Sequence, residues 1–206
     1  MTASTILFDC EYLTASGAMA RQWGGPLDPD PSVAQIGAVK LSLEPGYEIL
    51  ETFNVLIASK TRDGRKAALD PFFTELTGID QASIDRNGIR LADALDRFEA
   101  FAGEGTVWSW GKDELHLFAI SCYVEGLSPK MPITRFGNAA GLVLKAGMPY
   151  ADLVRTTSGR LADYFRLERA QRREHDALDD AMSIALSLQH LLHAGSLAPA
   201  DFRLPP

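Results

Sequence analysis

Asp9 and Glu11 stand one residue apart in ILFDCEY, and side chains two apart on an extended strand point to the same face. Two carboxylates held side by side repel each other unless a cation lies between them. The pair therefore could offer oxygen ligands to a hard divalent ion, although taken alone such a pair is more often a solvated strand edge or a helix cap. Asp113, in WSWGKDELHLF, comes where an apolar run should give way to a helix. Taken alone it reads as an N-cap, accepting hydrogen bonds from free amides of the first turn. A third group, His175, Asp176, Ala177, Leu178, Asp179, Asp180 and Ala181, opens the last helical stretch. Acids in a first turn meet the helix dipole favourably, which accounts for Asp176 and Asp179 and leaves His175 unexplained.

The elements that must position these residues can be read from apolar periodicity. Residues 4–8 form a short β-prone run that delivers Asp9 and Glu11 at its carboxyl end. Residues 13–32, rich in Gly, Pro and Asp, predict a long loop. Runs 33–43 and 51–57, joined across Glu44, Pro45 and Gly46, predict a hairpin beside the first strand. Residues 70–85 predict short helical pieces punctuated by Gly78, and Leu91, Ala94, Leu95, Phe98, Phe101 and Ala102 lie at helical spacing. Residues 106–110 predict another strand ahead of Asp113, and 116–125 a helix after it. Residues 129–132 mark a loop, and 151–165 contain at least one further helix. Leu178, Ala181, Ala185, Leu188 and Leu192, at intervals of three and four, make a well-patterned terminal helix. The tail 199–206 is too proline-rich to prolong it.

The 206 residues suffice for one sizeable α/β core and are few for two domains, so a single domain over 1–206 is expected, with its core at about 4–192. Apolar residues make up 46% and charged residues 23%, as in ordinary globular domains. No apolar run is long enough for a membrane span, and the amino terminus does not read as a signal peptide. Cys10 and Cys122 are the only cysteines, which excludes a Cys-built zinc site and fits a reducing, cytoplasmic setting. No P-loop or HExxH pattern supplies a competing catalytic site. The net charge of −7 argues against a long duplex footprint, because phosphate contacts favour basic surfaces. It is compatible with a narrow site in which bound cations reverse the local sign of a carboxylate cluster.

Together the motifs resemble the DnaQ-like exonucleases, called DEDDh after four acids and a histidine. Phe8-Asp9-Cys10-Glu11 matches the first motif, Asp113 the second, and HDALDDA the third, supplying His175 and Asp180. AQIGAVKL (34–41) is similar to the family's second strand and FFTELTGI (72–79) to its loop near the terminal base. The resemblance runs in the family's order from about residue 4 to about 192, and the long loop together with FFTELTGI looks closest to the RNA-processing branch that includes histone-mRNA exonucleases. Two positions leave a choice of neighbours. The second motif matches at Asp113 but has Lys112 before it and Glu114 after it, and Asp179 competes with Asp180 in the third.

The resemblance implies a ribonuclease-H-like fold, a mixed sheet with an antiparallel hairpin flanked by helices. It also implies 3′→5′ exonuclease activity on single-stranded RNA or DNA 3′ ends, with two divalent cations, Mg²⁺ or Mn²⁺. Asp9, Glu11 and Asp180 would surround one ion, Asp9 and Asp113 the other, and His175 would act as general base. Leu76, Thr77 and Gly78 would pack against the terminal nucleotide, unless they merely end a helix at a glycine. The rival readings are a DNA-proofreading or trimming enzyme on the same fold, and a non-catalytic nucleic-acid-binding relative that had lost a ligand or the histidine. Trp23 reads as a loop anchor before a base-stacking residue, Trp108 and Trp110 as strand packing, and His116, His190 and His193 as residues without a chemical role.

Overall fold

The computed structural model describes residues 3–111, 113–169 and 173–204; Lys112 lies outside them. Five strands, β1 (Ser4–Tyr12), β2 (Val33–Ser42), β3 (Ile49–Leu56), β4 (Val107–Ser109) and β5 (Phe136–Asn138), form one mixed sheet in the order β3-β2-β1-β4-β5. β1, β2 and β3 pair antiparallel, whereas β4 and β5 run parallel to β1. The helices are α1 (Pro71–Thr77), α2 (Gln81–Asn87), α3 (Leu91–Ala102), α4 (Asp113–Glu125), α5 (Ala139–Lys145), α6 (Tyr150–Leu153), α7 (Leu161–Tyr164) and α8 (Ala177–His193). This is the expected ribonuclease-H-like α/β arrangement.

Alternation along β1 sorts its side chains between two cores. Ile6, Phe8 and Cys10 pack with Phe98, Leu117 and Phe118 of α3 and α4, while Leu7 packs with Val39, Leu41, Ile184 and Leu188 on the α8 side. Phe8 is fully buried, its ring centroid 5.3 Å from Phe98 and 5.6 Å from Phe118. Burying a side chain of that size contributes on the order of 1.5–3 kcal/mol. Asp9 and Glu11 share the parity of Leu7, so the same alternation aims both acids at α8.

Three segments differ from the sequence expectation. β1 does not stop short of Asp9: it pairs with β2 as far as Tyr12, across a bulge between Glu11 and Tyr12. The acids thus sit on hydrogen-bonded backbone. The helix expected over 116–125 begins at Asp113. β5 and α5 were not expected, because three residues with a central glycine carry too little β signal; Gly137 lies against the Trp108 indole, which a side chain there would overlap. Residues 150–164 hold two one-turn helices and the 3₁₀ turn Ser158–Arg160. The tail makes a 3₁₀ turn, Pro199–Phe202, that buries Phe202 edge-on against Trp108 at 5.8 Å. Among the described residues no helix is long and apolar enough to cross a membrane.

Candidate active site

β2 lies opposite β1 in a register that pairs Asp9 with Gly37 and Glu11 with Gln35, and both β2 residues serve the site. A methyl group at Gly37 would overlap the backbone of Ala177 and Leu178, so only glycine lets the first turn of α8 rest on the sheet there. Buried Gln35 accepts a hydrogen bond from the Ala177 amide at 3.2 Å and donates to Asn54 Oδ1 at 3.0 Å. Asp176 caps the helix, accepting from the amides of Leu178 at 3.1 Å and Asp179 at 3.3 Å. One turn in, Asp180 comes down beside β1. The turn Ser158–Arg160 closes the far side, where Ser158 Oγ lies 3.4 Å from Asp180 Oδ2, and a side chain at Gly159 would collide with Asp180 Oδ1.

Asp9, Glu11 and Asp180 can each turn a carboxylate oxygen to within 4.8 Å of the others. The adjacent acids of the second motif part company. Asp113 is exposed in the first turn of α4, whereas Glu114 is 7% exposed, as are Asp9 and Glu11, with Asp180 at 6%. Burial pushes Asp9 well above the usual carboxylate range, and of the neighbouring charges that add to this, Glu114 acts most strongly, then Asp180 and Glu11. Glu11 is pushed up to about 8 by burial and then by Asp180. Glu114 and Asp180 rise to about 7, each chiefly by burial. Glu114 Oε2 and Asp180 Oδ1 are buried without a hydrogen-bond partner. A dry group of carboxylates with orphaned oxygens is uncompensated unless protons or cations join it. The donor set, all oxygen and formally anionic, fits hard divalent ions.

The structure thus unites Asp9, Glu11 and Asp180, buries Glu114 where its charge adds to that at Asp9, and leaves Asp113 exposed. His175 is exposed, immediately before the cap of α8, with a left-handed backbone of φ 60°. Leu76, Thr77 and Gly78 end α1. The Thr77 hydroxyl is taken up by its own helix end, donating to Phe73 O at 2.9 Å and accepting from the Ile79 amide at 3.1 Å, and Gly78 is its left-handed cap. Leu76 remains half-buried beside them. Thr77 and Gly78 line a cavity of about 410 Å³ together with Gln35, Asn54, Arg173 and Asp176. Trp23 anchors the long loop, donating from Nε1 to Leu13 O at 3.2 Å and meeting Tyr12 edge-on. His190 and His193 pack on Phe165 and Tyr47. Sequence reasoning missed Gln35, Gly37, Ser158 and Gly159; only the glycine within a β-prone run was a signal, since it marks close backbone approach.

A parallel-and-antiparallel sheet carrying buried acids on its central strand and on a helix packed against it defines a nuclease-type site on a ribonuclease-H-like fold. The exonuclease family model named for RNase T matches residues 6–188. The chain belongs to this exonuclease family, in its DEDDh, DnaQ-like form. The structure is similar to the nuclease domain of 3′hExo, a DEDDh family member solved with rAMP bound. The TM-score is 0.77 and the identity 18%, covering 100% of this chain and 97% of that one. It is also similar to E. coli exonuclease I, in a zinc-bound complex with single-stranded DNA (TM-score 0.67, 14% identity, 98% of this chain, 43% of that one). A complex of that enzyme with a dA16 oligonucleotide gives a TM-score of 0.61 at 14% identity over 93% of this chain and 41% of that one. The chain therefore spans about two fifths of exonuclease I. No curated protein matches it by sequence.

Proposed function

We propose that this protein hydrolyses phosphodiester bonds one nucleotide at a time from the 3′ end of single-stranded RNA or DNA, releasing nucleoside 5′-monophosphates. Asp9, Glu11, Glu114 and Asp180 hold two divalent cations, Mg²⁺ or Mn²⁺, and His175 serves as general base. The observation that carries this reading is the convergence of the buried carboxylates of Asp9, Glu11 and Asp180, with buried Glu114 adding its charge at Asp9 and with orphaned oxygens on Asp180 and Glu114. Divalent ions held there would neutralise charge on the attacking and leaving oxygens of the anionic phosphodiester. The chain's own residues do the rest. β1 and α8 fix three acids on rigid backbone, and Glu114 takes the place that Asp113 was expected to fill. A neutral imidazole can accept a proton from the attacking water. Leu76 and the backbone at Thr77 and Gly78 form the wall against which the terminal nucleotide rests.

The likeness to 3′hExo with rAMP and to exonuclease I with DNA supports nucleotide and single-strand substrates. The retention of every acid and of the histidine disfavours a non-catalytic relative. Catalysis is assigned to a domain spanning 1–206 with its core at 4–192, working in the cytoplasm, where the free buried cysteines Cys10 and Cys122 stay reduced.

A time course on 5′-end-labelled linear and blunt-duplex oligonucleotides and on an internally labelled circle tests the reading. Expected is a ladder shortening from the 3′ end of single strands with Mg²⁺, abolished by EDTA, slow on duplexes and absent on circles. Shortening from the 5′ end, or cleavage of circles, would refute it. RNA and DNA strands run side by side decide between RNA processing and DNA trimming.

A further inference from the structure

Among the described residues the His175 imidazole makes no hydrogen bond, so its place is set by the backbone around it. That backbone is left-handed at φ 60°, a conformation that costs a non-glycine residue on the order of 1–3 kcal/mol and persists only where neighbours hold it. Four ties do so. Asp176 caps α8 on one side. On the other, the Arg173 amide donates to Asp179 Oδ2, and Glu174 pairs with Arg160 at 3.0 and 3.2 Å. The Arg160–Glu174 pair has both side chains more than half exposed and holds weakly. The fourth tie reaches across the molecule: Arg173 Nη2 donates to Thr77 O at 3.1 Å, joining two segments 96 residues apart. Gly78 accommodates it, since a side chain there would occupy the position of the guanidinium. Arg173 is thus fixed at both ends, its amide to the first turn of α8 and its guanidinium to the end of α1.

We infer that Arg173 is a positioning residue that clamps the His175 segment to the 76–78 loop and so places the imidazole for proton abstraction. The inference rests on the exonuclease reading with His175 as the base. Because Thr77 O belongs to the wall assigned to the terminal nucleotide, the same clamp ties the seat of the substrate to the seat of the base. Proton transfer needs the base within hydrogen-bond reach of its proton, and a misplacement of about 1 Å can cost on the order of 10²-fold in rate.

The test compares Arg173→Ala, Arg173→Lys, His175→Ala and the double variant Arg173→Ala/His175→Ala on a short single-stranded oligonucleotide with Mg²⁺. Arg173→Ala is expected to lower kcat by roughly 10–10²-fold with KM and calorimetric Mg²⁺ affinity nearly unchanged. Arg173→Lys should recover part of the loss. In the His175→Ala background removal of Arg173 should cost nothing further, because no base is left to misplace. Hydrogen exchange, independent of activity, should quicken at residues 173–176 in Arg173→Ala while the interior of α8 keeps its protection. An equal loss of kcat in both backgrounds, a change confined to KM, or unaltered exchange at 173–176 would overturn the clamp. A wild-type protein without Mg²⁺-dependent activity, or a fully active His175→Ala, would instead bring down the functional reading beneath it.

Discussion

Neighbouring residues on a helix are rotated by about 100°, and that rotation separates Asp113 from Glu114. Glu114 is turned under α4 toward Asp9, while Asp113 faces outward. Glu114→Gln is therefore expected to lose activity nearly as fully as Asp9→Ala or Asp180→Ala, and Asp113→Asn to remain within a few-fold of wild type by the usual behaviour of exposed sites. Oligonucleotide turnover with Mg²⁺ affinity measured alongside checks this, and the reverse ranking would return the ligand role to Asp113. Asp179, which is half-buried and hydrogen-bonded to the Arg173 amide, should tolerate Ala far better than Asp180 does. His175→Ala should reduce turnover by about 10²–10⁴-fold, the loss expected with a general base, while calorimetry finds Mg²⁺ binding intact. Metal affinity falling as severely as in Asp9→Ala would contradict the base assignment.

At the scale of elements, the seating of α8 on β2 decides whether Asp180 meets Asp9. Gly37→Ala inserts a methyl into backbone that has no room to give, and overpacking of this kind costs typically 1–3 kcal/mol. In a chain of this length a loss of 1 kcal/mol lowers Tm by about 2–4 °C. Thermal melts should register that loss, and the variant that remains folded should bind Mg²⁺ more weakly, because α8 is lifted from β1. A Gly37→Ala protein with unchanged Tm and Mg²⁺ affinity would show that the contact carries no weight. The hairpin, α3 and α8 were legible in the sequence because each repeats its apolar pattern for eight or more residues. β5, α5 and the turn Ser158–Arg160 were not, since elements of three to seven residues are held by long-range partners; the Thr156 carbonyl, for example, accepts from Trp110 Nε1 at 3.1 Å.

For the whole molecule, the carboxylate cluster makes stability without metal depend on pH in a definite direction. Folding raises Glu11 to about 8 and Glu114 and Asp180 to about 7, with Asp9 raised as well, whereas unfolded carboxylates titrate near 4. The folded state thus binds more protons between about pH 4 and 8, and stability falls as pH rises through that window. The Tm of EDTA-treated protein should decline from pH 5 to pH 8, less steeply in Asp180→Asn, and saturating Mg²⁺ should remove most of the decline, since ligand binding to the folded state alone stabilises it. A wild-type profile parallel to that of Asp180→Asn would exclude the cluster as the source. The sequence by itself determined the α/β class, the acids Asp9, Glu11 and Asp180 that the fold brings together, and the family, because these rest on spacing along the chain. The tertiary structure buried Glu114 and left Asp113 exposed, and brought Gln35, Gly37, Ser158 and Gly159 to the site. Which way a side chain turns, and what may approach a backbone, depends on elements distant in sequence packing against it, as the Gln35 to Ala177 hydrogen bond across 142 residues does.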